Sequence, residues 1–327
     1  MAHELTLFAA ENGQQKAEMA YRGEKPWHQL GQEVTAGATL EEWLTEAHMN
    51  WTYKRTPVLF QPPGTTDETM PFDSRDFIYR SDTLTPLSIV SERYKEVQPI
   101  EVIDFFRSLV EEEGFEIETL GSLKGGRRIW AMAKTHIQDE VNAGDTIKAN
   151  LLLVTSCDGS LATTAKFVST RVVCWNTQAI ALGEDGMHVK VRHNTEFDAV
   201  AVKGKMGLIG RKAFQQFMSN MNLLSGVRMS TAKAEDVLAQ IVPHAPTSDP
   251  RSTRGFKTIM GLFHGGQKGY RLPGVSGTAW GLLNAVTEYA DHHVRAQSVE
   301  NRLNAAWFGA GASMKAEAEE LLLEIAG

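Results

Sequence analysis

Cysteine is scarce in this sequence: Cys157 and Cys174 are the only two in 327 residues, and their spacing matches no zinc or dithiol redox motif. A chain this long buries enough surface to need no disulfide staple. Both residues are therefore expected to be reduced, buried thiols. Long apolar runs are missing as well, which excludes a membrane-spanning helix. The start, Met1-Ala2-His3-Glu4-Leu5, has neither the basic residues nor the apolar stretch of a secretory signal, so a cytoplasmic protein is expected.

The marks of common chemistries are equally thin. A phosphate-cradling loop needs Gly-x-x-x-x-Gly-Lys-Ser/Thr after a strand. Gly204-Lys205-Met206-Gly207-Leu208-Ile209-Gly210 has the wrong order and falls inside a helical pattern. Asp291, His292 and His293 are adjacent on a helix, about 100° apart, so they do not converge on one metal. They read as a solvated helix surface. Cys174, between Val173 and Trp175, suits an inert core thiol better than a nucleophile. Glu111-Glu112-Glu113 closes a surface helix. No catalytic residue, metal or cofactor is expected, and the reading is a binding protein rather than an enzyme.

Charge is where the sequence is distinctive. The net charge is −7, yet residues 146–275 carry 16 Lys and Arg against 8 Asp and Glu. Residues 1–145 carry 14 against 25, and residues 276–327 carry 3 against 7. A basic middle between acidic flanks can hold a polyanion on one face despite the overall sign, although such residues also simply solvate helices.

Hydrophobic spacing predicts an α+β fold: a mainly antiparallel sheet with flanking helices, followed by a helical C-terminal region. Thr39-Leu40-Glu41-Glu42 has capping-box spacing and starts a helix. Strands are expected over 51–61, 76–80 and 87–90. Pro99 opens a helix that Gly114 stops. Lys124-Gly125-Gly126-Arg127 joins two strand-like runs, 115–120 and 128–134, as a hairpin; Asp158-Gly159 joins 150–156 to 161–168. A helix over 175–182 and a short strand over 188–192 follow. Helices are expected over 197–223, 231–242, 253–264, 278–294 and 313–325. Two regions result, an α+β core over 1–196 and a helical part over 197–327.

Four ordered segments together resemble one family. They are Tyr21-Arg22-Gly23-Glu24-Lys25-Pro26-Trp27-His28-Gln29-Leu30-Gly31, Gly121-Ser122-Leu123-Lys124-Gly125-Gly126-Arg127-Arg128-Ile129-Trp130, Ser156-Cys157-Asp158-Gly159-Ser160 leading into Arg171-Val172-Val173-Cys174-Trp175-Asn176-Thr177, and Thr278-Ala279-Trp280-Gly281-Leu282-Leu283-Asn284-Ala285-Val286-Thr287-Glu288-Tyr289. The chain resembles the phage/plasmid-like proteins that carry the domain of unknown function numbered 932. The resemblance transfers no catalytic residue; what it implies is a setting in mobile elements, hence in DNA metabolism, recombination or conflict with a host.

The leading expectation is a DNA-binding protein of phage or plasmid recombination, similar in role to single-strand annealing proteins. Such proteins hold single-stranded DNA in a basic groove, usually as homo-oligomers, beside other replication and recombination proteins. Cations along the backbone and planar groups for the bases are what this needs. Lys124, Arg127, Arg128 and Trp130 on the first hairpin, Lys166 and Arg171 on the second, and Lys190, Arg192, Lys203, Lys205, Arg211 and Lys212 beyond it are the candidates. Trp130, with Ile129 and Met132 around it in a strand, suits a core position better than a base platform, and so do Tyr21 and Trp27. A second expectation is a protein-interaction or anti-host-defence factor without DNA binding. A third is a nuclease or nucleotide-processing enzyme whose site is assembled from scattered residues, of which Asp158, Asn176 and His193 come first.

Overall fold

The computed structural model describes residues 6–9, 15–23, 30–64, 68–171, 173, 176–179, 189–195, 198–294, 305–307 and 309–327. Strands β1 (Leu7–Ala9) and β2 (Gln15–Ala17) pair with each other and lead into β3 (Met19–Tyr21) and β4 (Gln32–Glu33). Tyr21, expected in an irregular segment, is thus in a strand: its neighbours supply the backbone partners that the local Gly and Pro signals conceal. Helix α1 (Leu40–Glu46) begins at the expected capping box, with Thr39 Oγ1 accepting from the Glu42 N–H and the Glu42 carboxylate accepting from the Thr39 N–H at 2.6 Å. Strands β5 (Tyr53–Phe60), β6 (Met70–Arg80) and β7 (Pro86–Ser91) then form a three-stranded antiparallel meander.

Helix α2 (Pro99–Glu113) has Pro99 at its first turn and ends on Gly114, whose φ of 66° is the left-handed conformation that glycine adopts without strain. The main sheet follows: β8 (Glu116–Leu123), β9 (Arg128–Glu140), β10 (Thr146–Ser156), β11 (Thr163–Arg171), β12 (Asn176–Ala179) and β13 (Val189–Val191). Its order is β12-β11-β10-β9-β8-β3-β4, with β13 sharing the outer edge of β11. All pairings are antiparallel except β3 with β4. Both expected hairpins are present. The helix expected over 175–182 is not: Asn176–Ala179 pair with Val168–Arg171 as a strand. The free edge of β11 takes up this segment's N–H and C=O groups, which overrides its helical spacing; the rest of that segment lies outside the described residues.

The chain then turns helical as expected, through α3 (Ala199–Gly226), α4 (Thr231–Ile241), α5 (Arg254–Gly261), α6 (Ala279–Glu288) and α7 (Ala310–Ala326). Wide π-helical turns extend α5 through Gly266 and α6 through His293.

Strand alternation splits the sheet's side chains between two apolar layers. Ile129, Ala131, Leu151, Leu153 and Phe167 face the larger one, together with Phe105 and Phe106 of α2, Phe214 and Met221 of α3, and Leu282 and Val286 of α6. One core therefore joins the strand-rich and helical regions. Trp130, Met132, Leu152, Val154 and Val168 face the smaller layer, with Ala17, Met19 and Trp307. The central strands are buried on both faces, which is unusual for an antiparallel sheet and removes most of it from contact with any partner.

Candidate nucleic-acid interface

The tip of the first hairpin is docked rather than free. Lys124, Gly125 and Gly126 all have positive φ, of 57°, 70° and 97°. A side chain at Gly126 would meet Trp51 at 3.0 Å and Arg80 at 3.2 Å, so only glycine permits this approach. The Tyr53 hydroxyl donates to the Gly126 carbonyl at 2.6 Å, and Arg127 Nε donates to the Leu87 carbonyl at 2.9 Å. Beneath the tip, Arg80 lies 4.2 Å from the Trp51 ring centroid and pairs with Glu18 and Asp82, each at 2.6 Å. Burial lifts the Glu18 carboxyl above the usual range, against the pull of Arg80.

Three further loops meet the tip at this end of the sheet. The Cys157 N–H donates to the Arg127 carbonyl at 2.9 Å. Burial drives the Cys157 thiol up to about 12, with Asp158 adding to the effect, so it is an inert core thiol. Asp158 holds its own turn by accepting from the Ser160 N–H at 2.9 Å. Burial works against its charge, but the bonds from Ser160 and the nearby Arg128 outweigh it and keep the carboxyl low. The Tyr94 hydroxyl donates to the Ser156 carbonyl at 2.8 Å, and its ring stacks on His193 at 4.7 Å. His193 in turn sits between the Lys95 and Leu161 carbonyls, at 2.9 and 3.0 Å, while its own carbonyl accepts from the Lys95 N–H. Residues 91–98, 124–127, 157–161 and 192–195 are thereby fixed together.

These loops and β13 present Arg93, Lys95, Arg127, Lys190 and Arg192 to solvent, with Lys124 half-buried beside them. Acids on or beside these segments, among the described residues, include Glu92, which is exposed, Asp158, Glu96, which Arg55 pairs at 3.1 Å, Glu18 and Asp82 beneath the tip, which Arg80 pairs, and exposed Asp198 shortly after Arg192. Of the residues expected from the sequence, Lys124, Arg127, Lys190 and Arg192 are therefore brought to one end. Arg93 and Lys95 were not anticipated, although the alternation of cation, aromatic and cation in Arg93-Tyr94-Lys95 was readable.

The other candidates go elsewhere. Arg128 is 6% exposed, and its guanidinium donates to Ser160 Oγ at 3.0 Å. Trp130 has no exposed surface and meets Trp307 edge-on at 5.3 Å, so it offers no platform for a base in this conformation. Lys166 donates to the Trp307 carbonyl at 2.9 Å. Burial, reinforced by Lys315, lowers its ammonium to about 8. Arg171 is 2% exposed and pairs with Asp145 at 2.6 Å. Lys212 is exposed on α3; the side chains of Lys203, Lys205 and Arg211, on the same helix, lie outside the described residues.

Among the residues considered for chemistry, Asp158 and His193 are held by the turn contacts above, and the Asn176 side chain lies outside the described residues. Asp291, expected on a solvated surface, is instead 5% exposed and accepts from Lys315 Nζ at 2.8 Å, because α7 folds back over it. Among the described residues no three His, Cys, Asp or Glu side chains are grouped to hold a metal ion, and no helix is long and apolar enough to cross a membrane.

No curated protein and no solved structure matches this chain. A family model does: its domain of unknown function, DUF932, matches residues 86–307, a span that includes Arg93, Lys95, Arg127, Lys190 and Arg192 and excludes β5 and β6. The match covers more than half of the sequence, and the chain belongs to the DUF932 family.

Proposed function

We propose that the protein binds single-stranded nucleic acid without catalysing a reaction, and that it serves strand annealing or recombination in a mobile element. The strand lies across the end of the sheet where four loops converge. One observation supports this above the rest: Arg93, Lys95, Arg127, Lys190 and Arg192, drawn from separate parts of the chain, are exposed on elements that Tyr94 and His193 lock together. Cations on a rigid frame can meet phosphates without first losing conformational freedom.

The reading has a quantitative test. Each single-strand phosphate contact contributes about 0.7 to the salt slope, so five contacts give a slope of roughly −3.5 and an about hundredfold affinity loss from ~50 to ~200 mM salt. Fluorescence anisotropy with a labelled deoxythymidine oligomer measures it. The combined variant Lys95→Gln, Lys190→Gln and Arg192→Gln should keep its melting temperature and reduce the slope to roughly −1.4. A variant that retains the parental slope would show that the strand lies elsewhere.

The burial of Arg128, Trp130 and Arg171 favours a second reading, a protein-interaction factor without DNA binding. It takes over if the parent protein shows no salt-dependent binding to any single strand.

A further inference from the structure

The ring of His193 lies between two groups that can only accept. It is 9% exposed, with Nδ1 at 2.9 Å from the Lys95 carbonyl oxygen and Nε2 at 3.0 Å from the Leu161 carbonyl oxygen. A backbone carbonyl has no proton to give, and a neutral imidazole has one N–H and one bare nitrogen. Neither tautomer therefore serves both contacts: the bare nitrogen is left against an oxygen, where little water reaches to compensate. The imidazolium donates on both sides. Tyr94 favours the same state, because its ring stacks on the imidazole at 4.7 Å with 18° between the planes, and an aromatic face attracts a cation.

We propose that His193 is a proton-operated clasp: its doubly protonated ring ties residues 192–195 to 91–98 on one side and to 157–161 on the other, and loss of one proton releases one carbonyl and loosens the platform. The consequence for binding rests on the nucleic-acid reading above. Among the described residues, the charged groups around the ring are Glu92, Arg93 and Lys95 on one loop, and Arg127, Arg128 and Asp158 at the turns. Lys190, Arg192 and Asp198 are on its own stretch of chain. Burial works against the charge of Asp158, yet the bonds from Ser160 keep its carboxyl low. Burial pushes the Tyr94 phenol far up and the Cys157 thiol up to about 12, so both stay neutral. Imidazole is then the side-chain type in this cluster that changes charge between about pH 5 and 8. The closed platform holds one proton more than the opened one, so it gains population as pH falls. Two effects on a bound strand share that sign. The clasp fixes Arg93 and Lys95 relative to Lys190 and Arg192, and its own charge adds to theirs.

Isotope-edited NMR of the full chain, without nucleic acid, reads the clasp directly. Both His193 ring nitrogens should carry protons at about pH 5.5 and one should be bare at about pH 8.5. The backbone carbonyl signal of Lys95 or of Leu161 should move with the same midpoint as the ring. A ring that stays neutral at the lower pH overturns the proposal, as does a ring that titrates while both carbonyl signals stand still. Fluorescence anisotropy at constant salt then reads the consequence, with a deoxythymidine oligomer that lacks a terminal phosphate and so does not titrate in this range. Affinity should fall about tenfold from the lower pH to the higher, the worth of one charge-assisted hydrogen bond. In His193→Gln the amide nitrogen reaches one carbonyl and sets its oxygen against the other, so this variant should bind weakly at both pH values, without the fall. An equal fall in parent and variant overturns the proposal. If no strand binds at either pH, the nucleic-acid reading fails alone, and the ring and carbonyl signals still decide for or against the clasp.

Discussion

Asp145 holds the strand-rich and helical regions together, and removing it should be costly. Its carboxylate is fully buried and accepts from Arg171 Nε at 2.6 Å, Arg171 Nη2 at 2.9 Å and Trp280 Nε1 at 2.8 Å. Arg171 also donates to the Lys268 carbonyl at 3.2 Å. Replacing Asp145 by Ala leaves a guanidinium buried without its counter-charge, a loss of about 3–5 kcal/mol. At roughly 2.1 cal/mol/K per residue, 327 residues unfold with an entropy near ~0.7 kcal/mol/K, so the melting temperature should fall by about 4–7 °C. Differential scanning calorimetry measures this. The pair replacement Asp145→Leu with Arg171→Met should recover most of the loss, because no charge then remains buried. It should not recover all of it, since the Trp280 N–H keeps no acceptor, at about 1–3 kcal/mol. If Asp145→Ala lowers stability by less than about 1 kcal/mol, or if the pair replacement is no better than the single one, the buried pair does not act as argued. The pair variant should also bind single strands with the parental salt slope, which separates a structural Arg171 from one that touches DNA.

Two other outcomes follow from buried groups. Lys166 has its ammonium lowered to about 8 by burial and by Lys315. The folded state thus binds fewer protons than the unfolded state between that pH and the ordinary lysine range, and stability rises with pH across the window. Lys166→Met should therefore melt above the parent at neutral pH, with the gap closing as pH climbs past 8; a gap independent of pH would refute the burial of a charged lysine. Gly281→Ala should destabilise by about 1–3 kcal/mol or more, because a Cβ there overlaps the Val275 carbonyl oxygen. Urea denaturation would measure that change, and a neutral result would mean that the loop carrying Val275 yields freely.

Local chemistry was the legible part of the fold. Thr39 with Glu42, Pro99 with Gly114, the Gly125-Gly126 turn and the Asp158-Gly159 turn each fix a few dihedral angles through neighbours in sequence, and each stands where the residues suggest. What sequence could not show depends on distant segments. Asn176–Ala179 became a strand because β11 had an open edge. Asp291 became buried because Lys315, 24 residues on, reaches it. Asp145 and Trp280 are 135 residues apart. The site divided on the same ground. Arg128 and Trp130 share the face of β9 that the smaller apolar layer covers, as the apolar neighbours of Trp130 suggested for that residue but not for Arg128, whereas Arg127, one residue earlier, is on the turn and stays open.

This division bears on what the family resemblance can report. The residues that carry it are mostly committed to packing. Gly121 lies so close to Trp130 that a Cβ would come within 3.0 Å of the indole, and Gly126 admits Trp51 in the same way. Thr278 caps α6 by accepting from the Gly281 N–H, Trp280 reaches Asp145, and Asn284 donates back to the Trp280 carbonyl. Arg171 completes the buried pair. Substituting any of these would disturb the fold first and any ligand only afterwards. Sharing the motifs therefore entails sharing the scaffold, while on the proposed reading any binding specificity would depend on exposed positions such as Arg93, Lys95, Lys190 and Arg192.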